Sequence, residues 1–291
     1  MLFRSGIIII DKPMDWTSQD VAAKLRGVFR ERRIGHGGTL DPMATGVLPI
    51  FVGRATRGVE FFESAEKEYV AGLRLGVETN TQDTTGEVLA EKPVSVTREQ
   101  LQEVLTNFLG PQEQIPPMYS AVKIGGKKLY ELARQGKEVE RKARAIELKE
   151  LELLSFDGEN ASFRVVCTKG TYVRTICHDL GQKLGCGGCM SSLRRTRAGS
   201  YRAEQAFTME QILAGEAELL PVDSMFLEHP AVTLTEREEQ LCRNGNAFRR
   251  RELADGTYRC YAPSGEFLMV AACEAGTLTT VRSFFEVSYE K

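Results

Sequence analysis

The chain has 291 residues, 42% of them hydrophobic and 27% charged, with a formal net charge of −2 and a pI near 6.1. Those values exclude a disordered chain and predict a packed core, in one large domain or a large domain with a small appendage. They also exclude a uniformly basic nucleic-acid binder, so any grip on phosphates must come from local clusters.

The run Ile7-Ile8-Ile9-Ile10, closed by Asp11-Lys12-Pro13, reads as a buried strand. It is too short for a signal-peptide core or a membrane span, and no other stretch is apolar for long enough. A soluble, cytoplasmic protein is therefore expected. Val21, Ala22, Leu25, Val28 and Phe29 have helical spacing and predict a helix over 18–29, with Ser18 as its N-cap. Residues 35–46 are glycine-rich and contain Pro42, which predicts an ordered loop, and 47–52 reads as a strand. Alternation at Tyr69, Ala71, Leu73 and Leu75 predicts a strand that enters a loop over 76–86. Residues 97–108 predict a helix with Thr97 and Gln100 placed as a capping box.

From 115 to 144 the chain is basic, with two prolines, three glycines and a short helical signal over 129–134. A projecting, partly ordered insertion is expected there. Residues 146–154 and 161–167 read as a strand pair turned at Asp157-Gly158-Glu159-Asn160, and 171–184 as a helix closed by Gly185. Beyond a linker near Glu228-His229-Pro230 the pattern changes. A short helix over 234–243 and strands over 257–262, 267–272 and 279–287 predict a small β-rich domain.

Basic residues gather in four places. Lys24, Arg26, Arg30, Arg32 and Arg33 surround Glu31, and residues 123–149 hold nine basic against four acidic side chains. Arg194, Arg195, Arg197 and Arg202 form a third group, and Arg243, Arg249, Arg250 and Arg251 a fourth. Each alone is an ordinary solvated face, whereas together they suggest a phosphate-tracking surface. The seven cysteines are an odd count without regular spacing, which points to free thiols. Cys186-Gly187-Gly188-Cys189 has the spacing of a redox pair or half a zinc site, but no second pair completes a ligand set. A turn carrying no metal is the reading preferred here.

Asp41 before Pro42 would, by itself, be a turn former. No Gly-Lys-Ser/Thr ending makes a phosphate loop, and no Gly-x-Gly-x-x-Gly fingerprint is present in this segment. The whole segment carries more. Gly37-Gly38-Thr39-Leu40-Asp41-Pro42-Met43-Ala44-Thr45-Gly46-Val47-Leu48, preceded by Gly35-His36, closely resembles the catalytic motif of the TruB family of pseudouridine synthases. The resemblance recurs at Lys12-Pro13, Lys67-Glu68-Tyr69, Thr79-Asn80-Thr81-Gln82-Asp83 and Pro116-Pro117-Met118-Tyr119-Ser120-Ala121. It continues at Lys169-Gly170-Thr171-Tyr172-Val173-Arg174-Thr175 and Leu193-Arg194-Arg195, so that it spans nearly all of residues 7–200.

The resemblance implies an α+β catalytic domain over 1–228 with a mixed, largely antiparallel sheet and a thumb-like RNA-binding insertion at about 115–145. It implies a PUA-like β-barrel over 229–291, matched more weakly through 234–248 and the strand pattern. The implied reaction converts a uridine at T-loop position 55 of tRNA to pseudouridine. The N–C1′ bond breaks, the base turns, and it rejoins through C5. Nothing is oxidised and no group is donated, so no cofactor is required. The implied nucleophile is Asp41, kept ionised by Arg174. A flipped base needs an aromatic platform, and the family position for it is Tyr69, whose phenol is also placed to take a proton from C5. Tyr172 and Leu193 would line the base pocket, and His36 would fill space vacated by flipped nucleotides. Asp83 and Lys12 would be supporting residues. The partner would be the tRNA T-stem-loop, with a monomer as the default state. Without the family motifs, Tyr69 and Leu193 read as core residues and His36 as a loop donor. A non-catalytic binder of structured RNA and a small-molecule enzyme with a nucleotide pocket are the rival readings.

Overall fold

The computed structural model describes residues 5–286. Gly6–Lys12 (β1) is buried at every position but Asp11 because both of its faces are covered. Ile8 and Ile10 point into the main core, while Ile7 and Ile9 enter a second cluster with Val47, Phe51, Phe62 and Tyr201 on the other side of the sheet. Strands Ile34–His36 (β2), Thr45–Val52 (β3) and Lys67–Leu75 (β4) follow. A small hairpin, Val77–Thr79 (β5) with Val88–Glu91 (β6), leads on to Gly110–Gln114 (β7). Lys123–Ile124 (β8) and Lys127–Lys128 (β9) make a two-stranded ribbon inside the basic insertion. Arg144–Phe156 (β10), Asn160–Cys167 (β11), Gly188–Ala198 (β12) and Tyr201–Arg202 (β13) complete the first part.

The main sheet runs β1-β3-β12-β4-β11-β10-β7, with β2 on β3 and β13 on β12. Its pairings are antiparallel except β3 with β12, so it is mixed and largely antiparallel, as expected. Helices Ser18–Phe29 (α1), Arg98–Asn107 (α3) and Val173–Lys183 (α5) cover one face, burying Leu25, Leu101, Leu105, Ile176 and Leu180 in the main core. Shorter helices are Val59–Glu63 (α2), Leu129–Ala133 (α4) and Met209–Leu213 (α6). No described helix is long and apolar enough to cross a membrane.

Several expectations shift. The N-cap of α1 is Thr17, whose hydroxyl accepts from the Asp20 N–H at 3.0 Å. Ser18 is unavailable because its Oγ bonds the Leu40 backbone. His36 lies in β2 rather than a loop. The central strand β12 was not foreseen. It holds three arginines, one of them fully buried, which hides the alternation expected of a strand. Cys189 accordingly sits in this strand, and only Cys186 precedes it in the turn.

A second sheet follows residue 230. It comprises Ala231–Thr233 (β14), Phe248–Arg249 (β15), Gly256–Tyr261 (β16), Phe267–Glu274 (β17) and Thr277–Ser283 (β18), in the order β14-β16-β17-β18-β15. Its core of Val232, Leu234, Cys260, Leu268 and Leu278 is separate from the main one, and the sheet curls as a PUA-like half-barrel. The helix there is Glu236–Arg243 (α7). Val287, the expected end of the last strand, lies outside the described residues.

The two sheets are joined by an aromatic cluster. Phe226 packs edge-on against Phe61 at 5.4 Å between ring centroids, and against Phe284 and Phe267 at 5.7 and 6.2 Å. Polar contacts surround it: the Tyr261 hydroxyl donates to Asp223 at 2.5 Å, Arg57 donates to the Ser283 carbonyl at 3.1 Å, and Arg282 pairs with Glu60. Phe226 is 2% exposed and touches both sides. Phe226→Ala is therefore expected to cost about 3–5 kcal/mol, read as the loss of unfolding free energy in denaturant. A loss below about 1 kcal/mol would show that this cluster does not couple the two sheets.

Candidate active site

Between β2 and β3 the chain makes a loop that is held at every turn. The Gly37 N–H donates to the Pro49 carbonyl at 2.8 Å, and the Ala44 N–H closes a turn on the Asp41 carbonyl at 3.0 Å. Ser18 Oγ accepts from the Leu40 N–H at 2.9 Å and donates to the Leu40 carbonyl at 3.3 Å. Lys12 is fully buried beneath the loop, and its three ammonium protons match three carbonyls: Pro13 at 2.7 Å, Trp16 at 2.6 Å and Pro42 at 3.2 Å. Burial lowers the Lys12 amine to about 8, against the opposing pull of Asp41.

The loop presents Asp41 to Arg174, which α5 carries in its first turn. Arg174 Nε lies 2.9 Å from one carboxylate oxygen and Nη2 donates to the other at 3.2 Å, a two-point pairing. The same guanidinium donates to the Thr81 carbonyl at 3.2 Å and to the Tyr119 carbonyl at 2.9 Å, and Asp83 lies 3.8 Å away. Arg174 is 5% exposed, whereas a third of the Asp41 side chain remains open. Burial pushes the Asp41 carboxyl up; Arg174 opposes this and Asp83 adds to it. Asp83 is itself fixed by the hydroxyls of Thr81 and Thr85 at 2.8 and 2.5 Å.

Tyr69 lies on β4, buried at 9% exposure, between Val165 of β11 and Arg195 of β12. Burial raises its phenol, Arg195 draws it back down, and Asp41 is near enough to raise it again. Tyr172 caps α5, and its backbone is gripped from β7 by Gln114, which accepts at 2.8 Å and donates at 3.1 Å. His36 sits apart from the ion pair. Its Nε2 meets Gln19 at 3.3 Å, Nδ1 has no partner among the described residues, and burial together with Arg195 lowers its pKa. Leu193 is 8% exposed and belongs to the main core beside Tyr69. Asp41, Arg174, Asp83 and, through Pro42, Lys12 thus form one connected set, with Tyr69 alongside.

Sequence reading missed Gln114 and the buried part of the third basic cluster. Arg195 is 1% exposed, Arg194 pairs with Asp11 at 2.8 Å, and Arg197 lies 4.0 Å from Glu68. In the fourth cluster Arg243 and Arg250 pair with Glu239, Glu266 and Glu238. Carboxylates pair four of these arginines and a fifth, Arg195, is buried, so neither cluster is a continuous phosphate-tracking face. The first cluster does face solvent, as do Lys123, Lys127, Arg134, Lys137 and Lys142 of the insertion. All seven cysteines are free and buried, and no group of three or more potential metal ligands occurs among the described residues.

Residues 26–173 match the family model described as TruB family pseudouridylate synthase (N terminal domain), and 174–226 match the tRNA pseudouridylate synthase B C-terminal domain. The chain belongs to the TruB family of pseudouridine synthases and is an isomerase. Among its relatives, a protein named tRNA pseudouridine synthase B from Azoarcus sp. (strain BH72) is 43% identical over 95% of this chain and 94% of its own. One of the same name from Syntrophomonas wolfei is 46% identical over 91% and 92%. The fold is similar to a chain in the crystal structure of a Cbf5-Nop10-Gar1 complex, with TM-score 0.72 and 25% identity, covering 96% of this chain and 85% of that one.

Two outcomes follow from the loop geometry. A side chain at Gly46, where φ is +99°, would put Cβ 2.2 Å from the Arg195 carbonyl. Gly46→Ala is expected to cost more than about 4 kcal/mol. Gly27→Ala, on the open face of α1, meets nothing within 4 Å and should gain roughly 0.5–1 kcal/mol. Equal, small effects in thermal unfolding would refute the constraint.

The second concerns Asp41. With its folded pKa above the ordinary 3.8, the folded state binds more protons than the unfolded one between the two values. Relative to Asp41→Asn, the native protein should gain stability as pH falls through that window and lose it as pH rises. Denaturant midpoints at neutral pH and at the acid end of the native range measure this. The opposite trend would mean that the Arg174 pairing outweighs burial.

Proposed function

We propose that this enzyme converts uridine at T-loop position 55 of tRNA to pseudouridine, acting as a cytoplasmic monomer with Asp41 as nucleophile. The observation that carries the reading is the two-point Arg174–Asp41 pair, with one carboxylate face still open. An ionised carboxylate fixed by an arginine can attack the sugar or stabilise charge developing at C1′. The relatives named tRNA pseudouridine synthase B, matched over nearly the whole chain, support tRNA as the substrate. The exposed lysines of the insertion and the PUA-like sheet would hold the T-stem-loop by its phosphates.

In this reading Tyr69 stacks on the flipped base and receives the C5 proton. Tyr172 and Leu193 line the base pocket, and His36 fills the space left in the loop of the RNA. Asp83 shares Arg174, and Lys12 holds the floor of the Asp41 loop. The balance needs no cofactor: the proton lost from C5 matches the one gained at N1.

Unmodified tRNA incubated with the enzyme, then treated with carbodiimide and mapped by primer extension, should show one new stop at the T-loop site. Asp41→Asn should bind tRNA nearly as well and form no product. An active Asp41→Asn enzyme, or a stop elsewhere in the tRNA, would overturn the assignment.

Tyr69 separates into two roles. Stacking is worth roughly 1–3 kcal/mol per base, so Tyr69→Phe should keep binding and Tyr69→Ala should weaken it. Loss of the hydroxyl should slow the step after glycosidic cleavage on the order of 10²-fold. A wild-type single-turnover rate for Tyr69→Phe would restrict Tyr69 to stacking.

A further inference from the structure

Arg195 is among the largest fully buried side chains in the described protein, yet no described carboxylate lies within 4 Å of it. A buried guanidinium normally has such a partner, because desolvating an unpaired charge costs several kcal/mol. Its hydrogen bonds go to neutral carbonyls instead. Nε donates to Val47 at 2.7 Å and Nη2 to Gly38 at 3.1 Å. Gly38 and Val47 lie on either side of the Asp41 segment, so one planar fork ties both ends of the loop together. The strand register adds a second constraint. On β12, Arg195 stands opposite Gly46 of β3 on one side and Tyr69 of β4 on the other. The contact at Gly46 is too close for any side chain, and Gly38 approaches the guanidinium itself, with a Cβ there falling 3.4 Å from Nη1. The backbone has therefore closed around this arginine from both sides.

We propose that Arg195 is a positioning residue for the isomerisation, clamping both ends of the Asp41 loop and holding a fixed positive charge against the Tyr69 hydroxyl so that this oxygen can receive the C5 proton. The proposal rests on the role given to Tyr69 above. Once C5 has bonded to C1′, it still carries its hydrogen and the ring has an N1=C6 double bond. The phenolate oxygen of Tyr69 takes that proton. The C–H electrons become the C5=C6 bond, and the N1=C6 pair returns to N1, which is then protonated. The phenolate must exist in a buried place, and burial alone works against it. The titratable groups around Tyr69 are Arg195 from β12, Asp41 from the loop and the Cys167 thiol from β11. Of these, only Arg195 favours the anion, through its positive charge. Lys67, two residues before Tyr69, is also buried but gives its amine to the Glu63 and Ala65 carbonyls at 2.8 and 2.5 Å.

The test uses the full-length enzyme with a fluorinated tyrosine incorporated at position 69, whose phenol ionises well below that of tyrosine and can be followed by fluorine NMR without substrate. Arg195→Met is expected to raise the titration midpoint of that phenol by about one unit or more. If Arg195→Met does not fold, Arg195→Gln, which can still donate to one loop carbonyl, replaces it with the same expectation. Arg195→Lys, which keeps the charge, should move the midpoint less than either. With the natural tyrosine, the neutral variants should slow C5-proton loss tenfold or more and enlarge the isotope effect of deuterium at C5. Fluorination of Tyr69 in the same variants should recover part of that rate. An unmoved phenol midpoint in a folded neutral variant overturns the role of Arg195, whatever Tyr69 does in catalysis. A moved midpoint with no change in the isotope effect overturns the link to proton transfer and points to failure of the Tyr69 assignment instead.

Discussion

One guanidinium ties its own helix to three segments that the sequence keeps far apart. Arg174, from the first turn of α5, reaches the Asp41 loop, the Thr81 carbonyl, the Asp83 carboxylate and the Tyr119 carbonyl at the base of the basic insertion. All three of its nitrogens are engaged, in the fixed planar fork of donors that a lysine could not reproduce. The loops that meet there are rich in glycine, proline and threonine, and they reach the core through a few apolar side chains such as Leu40, Ala44 and Met118. Their relative placement depends on this cation. Breaking a buried pair of this kind costs about 3–5 kcal/mol, so the loss of Arg174 would loosen the site from several directions at once.

The charges around the Asp41 loop are not balanced pair by pair. Lys12, Lys67 and Arg195 are all buried, and all three donate to backbone carbonyls rather than to carboxylates. Burial lowers both amines to about 8, which leaves them mostly protonated at neutral pH. Carbonyl dipoles satisfy the N–H groups without cancelling the charge. The loop therefore rests on a floor of net positive character, which costs folding energy and favours anions above it. A structural ion pair would have supplied the same rigidity without that field.

How much of this could be read from the sequence depended on whether a residue acts locally. The isoleucine strand, the capping box at Thr97 and Gln100, the turn at 157–160 and the helix over 129–133 are set by neighbours a few positions away, and all are present. The N-cap of α1 fell on Thr17 because Ser18 serves a loop 22 residues further on. Strand β12 was invisible because its arginines look like surface charge, and the partners that make them internal, Asp11 and Glu68, are more than 120 positions away. Gln114 gave no signal at all, since one glutamine at a strand end carries no pattern. The ordered motifs around Asp41, Tyr69 and Arg174 were legible as motifs. Their physical connection, one arginine shared between two carboxylates, appears only in three dimensions.

That sharing bears on how the site behaves when it fills. Burial already works against the Asp41 anion, and Asp83 adds to the cost from the same side. A base that displaces water from the open face of Asp41 raises the desolvation penalty further and leaves fewer compensating dipoles. The countercharges must then act at close range and without rearranging, because reorganisation would forfeit the gain. Arg174 meets this requirement through its four fixed contacts, and Lys12 through three carbonyls that leave its ammonium nowhere to turn. Asp83, held by two threonine hydroxyls, lies 3.8 Å from the same guanidinium and shares its charge with Asp41. A neutral pairing would be more stable and less reactive. The second carboxylate leaves Asp41 incompletely neutralised, the state in which a carboxylate remains a nucleophile.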